Sequence, residues 1–247
     1  MKVIGIIPAR YDSTRFPGKP LIDIAGLTMI QRVYNQVNHA SSLSEVVVAT
    51  DDQRIFDHVK SFAGNVVMTQ KDHQSGTDRC AEVINSISCF DIAINIQGDE
   101  PFIDPQQIDL LVSCFENPDA QIATLVRPIT EIADLENHNK PKVVLNKKGE
   151  ALYFSRQPIP YFRGKNIHDW LANGPYYNHI GIYGYKVETL KEIAKLPLSV
   201  LESTESLEQL RWLDYGYKIQ TASSNHINDA IDTPEDLEII LNKYFRK

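Results

Sequence analysis

The chain has 247 residues, 43% of them apolar and 23% charged, with a formal net charge of −7. That length supports one substantial core with room for a small added lobe, and the composition is that of a soluble globular protein. The acidity excludes a broad nucleic-acid surface, and no apolar run reaches the length of a membrane span.

Short apolar segments alternate with amphipathic ones through the first half. KVIGIIP (2–8), EVVVAT (45–50), NVVM (65–68), DIAINIQ (91–97) and QIATLVR (121–127) read as strands. The first of these lies within MKVIGIIPAR (1–10), which reads as a strand rather than a signal peptide. Segments 28–37, 53–62, 77–87 and 105–115 place apolar residues at helical spacing, the last opened by Asp104 as N-cap and Pro105 in the first turn. Alternation of this kind implies parallel strands joined by right-handed crossovers, with ligands gathered beyond the strand C-termini.

The second half breaks the rhythm. KVVLN (142–146), ALYFS (151–155), NHIGIYGY (178–185) and KIQTA (218–222) are strand-like. One helix is predicted over 203–216, capped by Ser203 or Thr204, and a last one over 234–245. The expected organisation is a single domain. Residues 1 to about 130 form one half, about 131–225 a substrate-side region, and 226–247 a closing segment and helix. The three cysteines, Cys80, Cys89 and Cys114, lack C-x-x-C spacing and cannot all pair within one chain, which suits a reducing cytoplasm.

Several stretches carry chemistry. In GIIPARYDSTRFPGKPL (5–21) a strand runs into a loop with Arg10, Arg15 and Lys19. The Walker pattern fails, because Ser13 stands where its first glycine belongs and Pro20 follows Lys19. Three cations beyond a strand end still make an anion cradle, against the alternative of a solvated basic turn. NIQGDEP (95–101) puts Asp99 at a strand end, where a carboxylate either holds magnesium against a triphosphate or caps the next segment. DHQSGTDR (72–79) offers Ser75, Gly76 and Thr77 to a base or phosphate, although Thr77 as an N-cap explains much of it. His73 has no partner at metal-ligand spacing, so zinc is not expected. Arg156, beside a strand end, suits a bidentate carboxylate contact, while His179, Tyr183 and Tyr185 alternate with Ile180 and Ile182 as in a half-buried strand. Asp232 precedes a Thr-Pro helix start, with Asp229 a competing carboxylate nearby.

Together these segments resemble the 3-deoxy-manno-octulosonate cytidylyltransferase, or CMP-Kdo synthetase, family. The likeness lies in PARYDSTRFPGKPL (8–21), VATD (48–51), DHQSGTDR (72–79), NIQGDEP (95–101), ALYFSR (151–156), HIGIYGY (179–185), LEQLR (207–211) and DTPEDL (232–237), in order along nearly the whole chain. It implies an α/β fold: a mostly parallel, Rossmann-like layered sheet of the nucleotidyltransferase type with a smaller substrate and dimerisation insertion. It also implies CTP and the sugar acid Kdo as substrates, CMP-Kdo for lipopolysaccharide and pyrophosphate as products, a magnesium cofactor and a cytoplasmic homodimer, with neither nucleic acid nor membrane insertion.

By the same resemblance Ala9, Arg10, Ser13, Arg15, Lys19, Gln74, Ser75, Gly76, Thr77, Arg79 and Gln97 surround the nucleotide. Lys19, Asp99 and Arg15 carry the catalysis, and Asp99 with Asp232 holds the metal. Gln97, Arg156, His179, Tyr183, Glu208 and Gln209 line the sugar side. The competing readings are a CMP synthetase for another sugar acid, such as 8-amino-Kdo or sialic acid, and a non-catalytic nucleotide-binding module.

Overall fold

The structure is a computed structural model, and it describes residues 1–12, 16–87, 89–226 and 229–246. In chain order the elements are β1 (Val3–Ala9), a 3₁₀ turn (Lys19–Leu21), β2 (Asp23–Ile24), β3 (Leu27–Thr28), α1 (Met29–Val37), β4 (Glu45–Thr50), α2 (Gln53–Ser61), β5 (Val66–Met68), α3 (Gly76–Ser86), β6 (Ile92–Asn95) and α4 (Pro105–Ser113). Then follow β7 (Ile122–Pro128), α5 (Ile132–Glu136), β8 (Lys142–Leu145), β9 (Ala151–Ser155), α6 (Trp170–Asn173), β10 (Tyr177–Lys186), α7 (Val187–Ile193), α8 (Val200–Glu205), α9 (Gln209–Asp214), β11 (Ile219–Ser223) and α10 (Pro234–Tyr244). They divide into two compact units, Met1–Asp109 with Ile227–Lys247, and Leu110–His226.

The first unit is a parallel α/β layer with strand order β6-β1-β4-β5. β1 takes the middle because Val3, Ile4, Ile6 and Ile7 are all buried, the near-continuous apolar run of a strand covered on both faces. Its register sets Ile4 against Glu45 of β4 and Val3 against Ile92 of β6. The loops leaving the ends of β1 and β6 therefore emerge side by side. Met29, Ile30, Val33 and Val37 of α1, Ile55 and Val59 of α2, and Val83 and Ile84 of α3 are buried at helical spacing.

Caps fix where these helices begin. Thr28 accepts from the Gln31 amide at the start of α1, and Asp52 from the Arg54 amide at the start of α2. At α3 the cap is Ser75, in a reciprocal box with Asp78, rather than Thr77 as the sequence suggested. Thr77 lies two residues past the cap, within the first turn, and is buried; Asp78, three positions after Ser75, selects Ser75 as its partner. α10 repeats the device with Thr233 and Asp236, with Pro234 in the first turn.

The second unit is built on β10. It runs antiparallel to β7 and β8, β8 pairs antiparallel with β9, and β11 runs parallel to β7. A register shift between Ile180 and Tyr183 interrupts the simple alternation predicted there. The helix predicted over 203–216 is two helices, α8 capped by Ser199 and α9 beginning at Gln209. Ser206 breaks them by adopting a left-handed conformation with φ 52°. Glu202 and Arg211 join the pieces through two bonds of 2.7 Å, both side chains largely shielded from solvent.

Candidate active site

The first unit carries a polar cleft of about 430 Å³ at the ends of β1 and β6. Of the residues predicted for the nucleotide, Ala9, Arg10, Lys19, Ser75, Gly76, Arg79 and Gln97 line it, together with Asp99. Ser13 and Arg15 lie outside the described residues. Gln74 is exposed and donates to the Asp72 carbonyl at 2.8 Å, so its amide is turned to its own loop.

Local structure explains how the cleft walls come together. Gly98 is needed because a Cβ there would lie 2.7 Å from the Pro8 carbonyl oxygen, so only glycine lets the exit of β6 pass so close to β1. The α3 N-terminus arrives at the same edge, with Gly76 against Asn95 and Pro8. Its first-turn amides and helix dipole favour an anion. Ser75 uses its hydroxyl as the cap acceptor for the Asp78 amide, and its own amide donates to Asp78. The Arg79 guanidinium is buried and bonds Asp51 Oδ2 at 2.9 Å, the Thr69 hydroxyl and the Gln70 carbonyl. It therefore stiffens the cleft wall from behind.

At the floor, Lys19 Nζ donates to Asp99 Oδ2 at 2.8 Å and to Asp232 Oδ1 at 3.1 Å. Two carboxylates 133 positions apart are thus gathered on one ammonium. Asp229, the competing carboxylate, is engaged elsewhere: Lys243 Nζ and Tyr244 Oη donate to it at 2.6 and 2.5 Å. Burial alone would raise the Asp229 pKa, but those two bonds hold it below the usual carboxylate value.

A second set of predicted residues is gathered within the second unit. The rings of His179 and Tyr183 have centroids 5.2 Å apart, and Tyr183 packs edge-on to Trp212 at 5.0 Å. Desolvation drives the His179 imidazole down to about 3, so it is neutral at ordinary pH. The Thr124 hydroxyl has one proton and lies 2.8 Å from the Ile182 carbonyl, so its oxygen accepts from His179 Nε2 at 3.0 Å. That leaves His179 Nδ1 as an acceptor. The phenol of Tyr183 is pushed well above its ordinary value, by burial first and then by the charges of Tyr185 and Glu208. Among the described residues Tyr183 Oη and Gln209 Nε2 are buried without a hydrogen-bond partner, as are both amide atoms of Asn178 and Trp212 Nε1. Buried polar groups are normally satisfied, so these groups can take hydrogen bonds from water or a ligand.

Arg156 lies beside the helix break. Its Nε donates to the Glu205 carbonyl at 2.7 Å, Nη2 to the Ser206 carbonyl at 3.2 Å and Nη1 to the His138 carbonyl at 3.1 Å. It bonds the last carbonyl of α8 and that of the Ser206 cap, and each terminal nitrogen has a second N–H beyond these bonds.

Residues 4–219 match the cytidylyltransferase family. The 3-deoxy-manno-octulosonate cytidylyltransferases of Parabacteroides distasonis and Bacteroides thetaiotaomicron are 56% and 57% identical to it, each comparison covering 96% of both chains. The chain belongs to the 3-deoxy-manno-octulosonate cytidylyltransferase family. A solved CMP:2-keto-3-deoxy-manno-octonic acid synthetase complexed with CTP is 42% identical, with a TM-score of 0.90 over 97% of each chain. The 4-diphosphocytidyl-2C-methyl-D-erythritol synthase of Anaerococcus prevotii shares the fold at 12% identity, with a TM-score of 0.66 over 100% of this chain and 99% of its own. The α/β cytidylyltransferase fold expected from the sequence is therefore the fold of this chain.

Asp99 and Asp232 suit magnesium, which takes hard oxygen donors and needs only one or two carboxylates beside phosphate oxygens and water. Among the described residues no group of three or more His, Cys, Asp or Glu side chains is placed to hold a metal ion. The two carboxylates would supply part of a magnesium coordination shell, the rest falling to water and phosphate oxygens.

Sequence reasoning missed Asp12, Pro20 and Gly98 in the cleft lining. Asp12 was signalled by standing as an acid between Arg10 and Lys19. It also missed Lys142, fully buried and pushed down to about 8 by burial and by the charge of Arg156. A lysine opening a strand reads as solvated, so no local pattern pointed to it.

Proposed function

We propose that this chain transfers CMP from CTP to the anomeric hydroxyl of 3-deoxy-D-manno-octulosonate, releasing pyrophosphate and giving CMP-Kdo for lipopolysaccharide, with magnesium held by Asp99 and Asp232. The observation that carries the reading is the junction of Lys19 with Asp99 and Asp232, at one end of a polar cleft also lined by Arg10 and the α3 N-terminus. The family membership and the CTP held by a relative of the same fold support it.

The chemistry asks for two anions, a sugar carboxylate and a triphosphate, to meet in line. Lys19, Arg10 and Arg15 offset the phosphate charge, and the α3 N-terminal amides add fixed dipoles. Magnesium, when bound, neutralises charge developing on the pyrophosphate. Arg156 takes the sugar carboxylate end-on. His179 Nδ1 accepts from a sugar hydroxyl, while Tyr183 and Gln209 use Oη and Nε2, which have no hydrogen-bond partner among the described residues. Holding both substrates in line supplies about 7–11 kcal/mol of the barrier.

The working form is a cytoplasmic homodimer. Three cysteines without C-x-x-C spacing suit the compartment, and Leu152, exposed on β9, suits the dimer contact. Sedimentation of a Leu152→Asp variant should give a lighter species, and an unchanged mass would remove that contact. For the reaction, purified protein is incubated with CTP, magnesium and a panel of sugar acids, and products are identified by mass. CMP-Kdo with stoichiometric pyrophosphate is expected. Turnover only with 8-amino-Kdo or sialic acid would reassign the substrate, and CTP binding without turnover would make the chain a nucleotide-binding module.

A further inference from the structure

The loop that delivers Lys19 is braced from outside the cleft. Tyr11 follows Arg10, and its carbonyl accepts from the Gly18 amide at 2.9 Å, closing the loop at its base. Gly18 has φ 72°, and a Cβ there would meet the Tyr11 hydroxyl at 3.1 Å, so the phenol packs directly on it. The Arg54 guanidinium lies over the Tyr11 ring, 3.3 Å from its centroid. Arg54 is itself gripped by Asp52, with Nε to Oδ1 at 2.9 Å and Nη2 to Oδ2 at 2.6 Å. Tyr11 is thus caught between Arg54 and Gly18, with Arg10 and Lys19 immediately beyond the two ends of the closed loop. The adjacent Asp51 holds Arg79 in the opposite cleft wall. Neighbouring carboxylates after β4 therefore fix both flanks of the cleft.

We propose that Asp52 and Arg54 are positioning residues that clamp Tyr11, set the spread of Arg10 and Lys19, and so tune affinity for the triphosphate of CTP. Neither residue touches the reacting atoms. The effect falls on nucleotide binding, and the chemical step proceeds at its usual rate once CTP is seated. The inference rests on the cytidylyl-transfer reading above.

The test is CTP binding by calorimetry with magnesium and without sugar, alongside steady-state kinetics. Arg54→Ala removes the cation. Asp52→Asn keeps the helix cap while weakening the fork, because asparagine caps as well as aspartate. Both should weaken CTP binding about two- to fivefold, the range for a cation over an exposed ring. kcat, the KM for the sugar acid and the melting temperature should stay unchanged, and Tyr11→Phe, which keeps the ring, should bind as the wild type does. CTP affinity in Arg54→Ala equal to wild type would overturn the clamp, as would a joint fall in kcat and both affinities. If wild type itself binds no CTP, the cytidylyl-transfer reading falls, and this one with it.

Discussion

The amide of Ile231 donates to the carbonyl of Asp99 at 3.0 Å. This single backbone bond joins the exit of β6 to the segment leading into α10, and the next residue along that segment is Asp232. Phe102, three residues after Asp99, stacks on Tyr244 near the other end of α10, with ring centroids 4.2 Å apart. The two carboxylates are therefore held by a bond on one side and an aromatic stack on the other. Lys19 between them completes the arrangement.

Removing the lysine leaves two carboxylates facing each other without that cation. Lys19→Met is expected to lower stability by about 1–2 kcal/mol in the absence of metal, read as a lower urea midpoint. Added magnesium with CTP should recover part of the loss. A midpoint unchanged from wild type would show that the ammonium contributes nothing to holding the pair.

Glu202 and Arg211 form a shielded bidentate pair across the Ser206 break. Glu202→Gln removes the bidentate carboxylate from a shielded guanidinium that keeps Glu208 at 3.7 Å and the Leu196 carbonyl at 3.2 Å, and a loss of about 2–3 kcal/mol is expected. The readout is chemical unfolding, with the KM for the sugar acid rising because Glu208 and Gln209 open α9. Retention of both values would show the helix pair to be set by packing alone.

His179 gives a pH signature. Its pKa is about 3 in the folded chain against an ordinary 6.5, because burial disfavours the charged ring. The unfolded chain therefore binds a proton that the folded chain refuses. Stability is fully present above about pH 6.5 and declines progressively as pH falls from there towards 3. Urea midpoints should drop between pH 6.5 and 5, and His179→Gln should flatten that drop. Equal slopes in the two proteins would mean that the folded chain does not lower the His179 pKa.

Much of this was legible in the sequence where a local pattern and a physical need coincide. The strands β1, β4 and β6 follow from their buried apolar runs, and Asp99 from its place at a strand end. Thr77 was misread because capping depends on a reciprocal partner, Asp78, that competes silently with hydroxyl position. The 203–216 helix was misread because a lone serine carries no breaker signal, and its left-handed turn is supported by Arg156 from a distant strand end. Lys142 and Asn178 were invisible for a similar reason. Their burial comes from the pairing of β8 with β10, which no local window contains.

The central claim is that Lys19, Asp99 and Asp232 mark the centre where CTP is attacked. Its most direct test is pyrophosphate release from CTP, Kdo and magnesium by wild type beside Asp99→Asn, with CTP binding measured on both. Release by wild type is expected, with a loss of about a hundredfold or more in the variant and CTP still bound. Release by Asp99→Asn at the wild-type rate would contradict it.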